Sequence, residues 1–441
     1  MAGRNSALGE FLEEPSTTDD LDEDNLSLAL ESLEERLQET ERLFGEVRSS
    51  QRLAVGLETL AMAAALVPKE HDVEGELLLG AANAVVTQGT DYRFEEIAPG
   101  ALEDPVFQIS EEGAVGNMIK AIFRGIWQTI VRIWEVIAGF FKSASEACFG
   151  LDKKLARLRK KVRLNAHRVI ANPTFTMGSE ASRVGSNYLT PRNAIELNNL
   201  TKRASTALDA FFGRYSKDLS TVGENIAKAL QSFKVEQPEE SLDAVTQAAA
   251  ALHSSEISKI CSQAVQDPRF NVGPGKLWAS APLFCNKTLF YSVPESENDT
   301  AVARAYVQRR VRVVFEPTLP SPPVRNRPPE FNTLDPEAAL GVLDALEPLI
   351  KQVMDYTESQ ALRNIRQAKD NVLRVSKRLS DDLDRRPNVA NNAVVCYRSA
   401  LEYGVTFSSW ATEPHTRLAA ASTSYCRAVM ALVNRSLGNL R

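Results

Sequence analysis

Cysteine and histidine are scarce in this 441-residue chain, with five of one and four of the other. Cys148, Cys261, Cys285, Cys396 and Cys426 are odd in number, far apart and without a CxxC pair. That excludes a disulfide framework or a paired-thiolate zinc site and predicts buried free thiols in a reducing cytosol. His71, His167, His253 and His415 are scattered with no i, i+4 pair, so each reads as structural rather than as a metal ligand. No apolar run reaches the roughly 18 residues that an ordinary membrane span requires. The first residues lack a basic stretch followed by an apolar one, so no secretory signal is expected. There is no GxSxG, HExxH or EF-hand loop, and Gly273-Pro274-Gly275-Lys276 lacks both Walker spacing and a following Ser or Thr, which leaves a turn. Carboxylates are plentiful, yet none form a pair that periodicity would place in a cleft. The sequence therefore calls for no catalytic residue, cofactor or metal, and an enzyme is not expected. No sequence-reading nucleic-acid module and no repeat with a period of about 20–50 residues is visible.

What is present is an uneven distribution of charge. The chain carries a formal net charge of −6 and is 44% hydrophobic, enough for a sizeable core. Residues 1–116 hold 26 Asp/Glu and 7 Lys/Arg, net −19, whereas the remainder holds 31 acids and 44 bases, net +13. An acidic front end ahead of a basic body points to a tail or pro-segment and to a body suited to polyanions or anionic surfaces.

Periodicity predicts a mainly α protein, an amphipathic helical bundle with a small antiparallel β element at about 276–316 and a Pro-rich connector. Residues 1–25, with Asp19, Asp20, Asp22, Glu23 and Asp24, read as a disordered tail. Leu26, Leu30, Leu33 and Leu37 open a helix; Leu53, Leu57, Leu60 and Ala64 form a second run, and Leu77–Val86 a third. Residues 87–116 are rich in Gly, Pro and acids and read as a linker. Asn193–Phe233 reads as a long amphipathic helix and Ser241–Val265 as a shorter one. Lys287–Val293 and Ala305–Phe315 read as strands. Seven prolines between 317 and 336 predict an extended connector. Helices follow at about 336–380, 389–411 and 415–438, split at Pro414. Four segments result: 1–111, acidic and helical, a propeptide; 112–266, helical; 267–336, the β element and linker; 337–441, helical.

Residues 117–142 place Ile119, Ile122, Ile126, Ile130, Ile133, Ile137 and Phe140 on one helical stripe, broadened by Phe123, Trp127, Trp134 and Phe141. Lys120, Arg124 and Arg132 fall on another. The helix reads three ways: a core helix, an interfacial membrane helix, or a partner-binding helix with its face at Ile126, Trp127, Trp134, Phe140 and Phe141. Spanning a bilayer is disfavoured, because Lys120, Arg124, Arg132 and Glu135 would need burial. A basic run follows, with Lys153, Lys154, Arg157, Arg159, Lys160, Lys161 and Arg163, and residues 117–163 carry 11 bases against 3 acids. Such a run is either a solvated helical face or a sequence-independent phosphate contact, for which clustered cations suffice.

In three places the chain resembles the internal head (inner body) proteins of large tailed bacteriophages. These are the leucine-rich acidic front, with Leu28–Glu31 and Gly56–Leu60; the helix Ile119–Phe141, running through Phe149-Gly150 into the Lys/Arg run; and the C-terminal layout of Asn271–Gly275, Pro336-Glu337 and Val433–Leu437. The resemblance implies a non-enzymatic virion structural protein inside the capsid, packaged with DNA beside capsid or core proteins. It further implies ejection into the host, where helix 117–142, in its interfacial reading, would make a host membrane a further partner. It also implies maturation by a prohead protease that cuts after Glu. Ile109-Ser110-Glu111 and Ser110-Glu111-Glu112 fit such a motif in the linker, making Glu111 and Glu112 the cleavage candidates. Leu8-Gly9-Glu10, Ser32-Leu33-Glu34 and Ala101-Leu102-Glu103 fit as well.

Overall fold

Helical periodicity dominates the sequence, and the computed structural model follows it: the described residues are mainly helical with a small antiparallel sheet. The structure describes residues 17–66, 81–86, 114–270, 272, 275–295, 299–319, 328–385 and 391–441. They form two compact units, Arg36–Gly139 and a larger one made of the chain through Glu35 together with Phe140–Arg441.

In the smaller unit Leu43, Phe44, Val47, Ala54, Leu57 and Leu60 recur at helical spacing and are buried. The two leucine runs belong to one helix, Thr17–Leu66, which corrects the reading of its first turns as disordered tail. Acidic residues at a helix N-terminus favour the helix through its dipole, so the charges that suggested a tail also suit a helix start. Of the expected helix Leu77–Val86, residues 81–86 are helical and 77–80 lie outside the described residues. A methyl group on Gly56 would stand 2.7 Å from Val85 Cγ1, so glycine is what lets these two helices approach. The third element is helix Ala114–Leu164, whose Ile126, Ile130, Ile133, Trp134 and Ile137 are buried. Arg132 on its outer side pairs with Glu39 at 3.2 Å.

The larger unit is organised around helix Asn391–Gly438. From Cys396 to Thr416 every residue except Ser409 is buried, the signature of a helix enclosed on all sides. It packs against helices Pro238–Ala250, Ala301–Arg309, Pro336–Glu358 and Gln360–Asp384. Pro414 does not split it. The lost amide bond and ring clash cost about 3 kcal/mol, and packing from every direction offsets that. Polar anchors fix its rotation: Trp410 Nε1 donates to Val311 O at 2.8 Å, Tyr403 Oη to Thr246 Oγ1 at 3.1 Å, and Tyr425 and Thr201 hydroxyls meet at 2.7 Å. Arg309 and Glu402 form a buried ion pair.

Four other helical stretches differ from expectation. The span 336–380 is two helices, because Ser359 is extended and its hydroxyl accepts from Leu362 N at 3.1 Å, ending one helix and capping the next. The span Ser241–Val265 stops at Ala250, where Ser254 and Ser255 turn their hydroxyls back onto Ala251 O and Leu252 O. Residues 305–309, expected as strand, lie in helix Ala301–Arg309. Thr300 caps it by accepting from Ala303 N at 3.2 Å, and three alanines carry the helical preference. The long helix expected at 193–233 runs as Ala194–Asp209, a π turn Ala210–Tyr215, and Ser216–Gln231. The π turn sets Phe211, Phe212 and Tyr215 around the buried His415, whose Nε2 lies 3.0 Å from Ser216 Oγ.

The strands are β1 (Thr174–Thr176), β2 (Gln263–Ala264), β3 (Lys276–Ala279), β4 (Lys287–Val293), β5 (Arg312–Pro317) and β6 (Glu330–Asn332). Strands β2-β3-β4-β5 form an antiparallel meander in chain order, with Trp278 opposite Tyr291 and Phe290 opposite Val314. The Pro-rich connector is extended as expected where β6 pairs antiparallel with β1; residues 320–327 lie outside the described residues.

Candidate polyanion-binding surface

Within the larger unit, helix Ala114–Leu164 continues its apolar stripe through Phe140, Ala144, Ala147, Leu151, Leu155, Leu158 and Val162, all buried. The basic run is threaded between these positions, and helical spacing sorts its cations onto different faces. Lys153, Arg157 and Lys161, four residues apart, line a groove of roughly 970 Å³ together with Arg427 and Asn434. Lys161 Nζ donates to Asn434 Oδ1 at 2.8 Å, and Lys153 Nζ lies 4.8 Å over the Phe149 ring. Lys154 is half-buried. Lys160 and Arg163 are exposed on an adjoining face beside Ala156 and Leu164.

Arg159 is turned inward. Its guanidinium reaches Asp344 at 2.6 Å and Glu347 at 2.8 Å, both on helix Pro336–Glu358. Lys351 and Arg159 together hold the Glu347 carboxyl below its ordinary range. Of the seven cations of the run, Arg159 is therefore committed to holding two helices together, while Lys153, Arg157, Lys160, Lys161 and Arg163 face solvent.

One wall of the groove comes from the acidic front of the chain. Asn25, Leu26, Ala29 and Ser32 line it; Leu26, Ala29 and Leu33 are buried, and the hydroxyls of Ser32 and Ser143 meet at 3.0 Å. A methyl group on Gly150 would stand 3.0 Å from Leu26 Cδ1, so glycine admits that leucine.

The face singled out for membranes or partners is turned inward where it is described. Ile126, Trp134, Phe140 and Phe141 are all buried, and Phe141 makes an edge contact with Tyr356 at 5.6 Å. The Trp127 side chain lies outside the described residues, as do Glu111 and Glu112. Among the described residues no helix is long and apolar enough to cross a membrane, and no three His, Cys, Asp or Glu side chains group to hold a metal ion. All five cysteines are free; four are buried and Cys285 is half-buried. Burial pushes the Cys148 thiol up to about 12.

A second group of cations escaped the sequence reading. On helix Gln360–Asp384, Arg363, Arg374, Lys377 and Arg378 are exposed on its outer face, while Leu362, Ile365, Ala368, Val372, Val375 and Leu379 are buried. The signal was available as helical spacing, but six bases spread over the segment make no conspicuous run.

No curated protein and no solved structure matches this chain. Residues 18–435 match the family model of the phiKZ-like phage internal head proteins, a span that takes in the acidic front, the basic run and the enclosed C-terminal helix. The chain belongs to that family and is a structural protein of the virion, located in the capsid interior.

Proposed function

We propose that the basic body of this protein contacts packaged DNA without reading its sequence, and that residues 1–111 are a propeptide removed by the prohead protease near Glu111 or Glu112. The observation that carries the proposal is the groove, in which the acidic front supplies one wall and Lys153, Arg157 and Lys161 line the other. A front of net −19 on the same chain as a body of net +13 lowers the body's attraction for phosphates while it stays attached. A cut at 111 removes the covalent tie and nearly all of that negative charge. Five solvent-facing cations of the run would then displace counterions from DNA, giving a salt slope of about −4 to −5 in log K against log salt. Capsid or core proteins are the remaining partners, and ejection with the genome follows if DNA is what retains the body.

Mass spectrometry of mature particles tests the scheme. Peptides beginning near Glu112 or Gly113 are expected, with none from residues 1–108; abundant N-terminal peptides in mature heads would overturn it. Membrane action after ejection, the competing reading, requires Ile126, Trp134, Phe140 and Phe141 to leave the core. Vesicle leakage by ejected protein, lost with Trp134→Asp and insensitive to salt, would favour it.

A further inference from the structure

We infer that the outer face of helix Gln360–Asp384 is a second contact for the DNA backbone, distinct from the basic run. The inference rests on the DNA reading above and adds a surface that the run does not include. Arg363, Arg374, Lys377 and Arg378 are exposed, and fifteen residues separate the first from the last, about 22 Å along the helix. A duplex lying along that length presents about 13 phosphates.

How these side chains are held sets them apart. Four arginines elsewhere on the larger unit are neutralised by carboxylates: Arg269 by Asp267, Arg304 by Asp243 and Asp299, Arg435 by Glu180, Arg159 by Asp344 and Glu347. On this helix the partners are neutral amides. Arg363 Nε donates to Gln360 Oε1 at 3.2 Å and Arg374 Nη2 to Asn371 Oδ1 at 2.7 Å. Among the described residues no carboxylate lies within ion-pair distance of Arg363, Arg374, Lys377 or Arg378. The acids of its exposed side are Asp370, matched by Lys369 at 2.5 Å, and Asp381 and Asp382 in its last turns, so residues 360–382 hold six bases against three acids. Amide partners steer a guanidinium without cancelling its charge, so the face keeps the positive field that a polyanion seeks. The opposite face packs on helix Ser216–Gln231, Ala368 standing close to Gly223, so the helix is anchored and its cations need no ordering of the backbone on binding.

The test uses the full chain and a fluorescent duplex of about 30 base pairs, with affinity followed between 50 and 200 mM salt. The variant R363Q/R374Q/K377Q/R378Q should flatten the log–log salt slope by about 3.6, four contacts at 0.9 each. The charge-keeping variant R363K/R374K/K377R/R378K should retain the wild-type slope, which separates loss of charge from damage to the helix. A parallel variant, K153Q/R157Q/K160Q/K161Q/R163Q, reports on the basic run. An unchanged slope in the first variant alongside a flattened one in the parallel variant overturns this inference and leaves the basic run standing. The reverse pattern supports the inference and removes the run from the DNA reading. A wild-type chain that binds the duplex at 50 mM salt neither intact nor after cleavage near Glu111 overturns both.

Discussion

Acidification from pH 7 to pH 5 should cost the native protein about 2 kcal/mol through His415 alone. Its ring is enclosed by Phe211, Phe212, Tyr215 and Tyr356, with the Ser216 hydroxyl 3.0 Å from Nε2 and no hydrogen-bond partner at Nδ1. None of these neighbours carries a negative charge that would welcome a proton. Burial lowers the imidazole from 6.5 to about 3. The native ring is therefore neutral above that value, whereas the unfolded chain takes up a proton as pH falls through 6.5. Between these limits the unfolded state binds more protons, so stability falls as pH falls, and the contribution is flat above pH 7. Integrating over that interval gives about 2 kcal/mol lost by pH 5 and about 3 by pH 4. Urea unfolding followed by far-ultraviolet circular dichroism at pH 7, 6 and 5 measures the loss. The variant His415→Gln keeps a polar partner for Ser216 and does not titrate, so its deficit relative to wild type should shrink by about 2 kcal/mol across that range. Parallel losses in wild type and variant would refute the reasoning.

Two further predictions concern the packing of the larger unit. Gly223→Ala places a methyl 2.3 Å from Phe407 Cζ and 3.0 Å from Ala368 Cβ, and Phe407 is fully buried; overpacking of about 1–3 kcal/mol should outweigh the better helix preference of alanine. A higher urea midpoint in that variant would contradict the close approach. Glu402→Ala leaves the Arg309 guanidinium buried beside Ser399 O and should cost about 3–5 kcal/mol, whereas R309M/E402L should fall much closer to wild type. Equal losses in the single and double variants, read from urea midpoints, would argue against an isolated buried pair.

Periodicity carried most of the helices because an apolar stripe is a local property. Leu26, Leu33, Leu53, Leu57 and Leu60, the isoleucines at 126–137 and the stripe at 197–230 are buried as their spacing implies. What escaped the sequence depends on neighbours far along the chain. Pro414 looks like a break until the surrounding helices are in place, and the Ala305–Phe315 stretch looks like a strand until Thr300 caps a turn ahead of it. The basic run was conspicuous as composition, yet its division into a groove face, an outer face and an inward Arg159 is set by Asp344 and Glu347, nearly two hundred residues away. The cations of helix 360–384 were hidden for the opposite reason, being diluted among the leucines and valines that bury its other face.

The enclosed helix Asn391–Gly438 also imposes an order in time. Ser216 and His415, which touch in the finished protein, are separated by 199 residues. At ribosomal rates of about 5–20 residues per second, His415 is added about 10–40 s after Ser216. Throughout that interval the apolar sides of Ser216–Gln231, Pro238–Ala250 and Pro336–Glu358 have no central helix to close upon. Folding of the larger unit is thus a late event in synthesis, and the nascent chain must be kept from its neighbours on the polysome until residues 391–438 emerge.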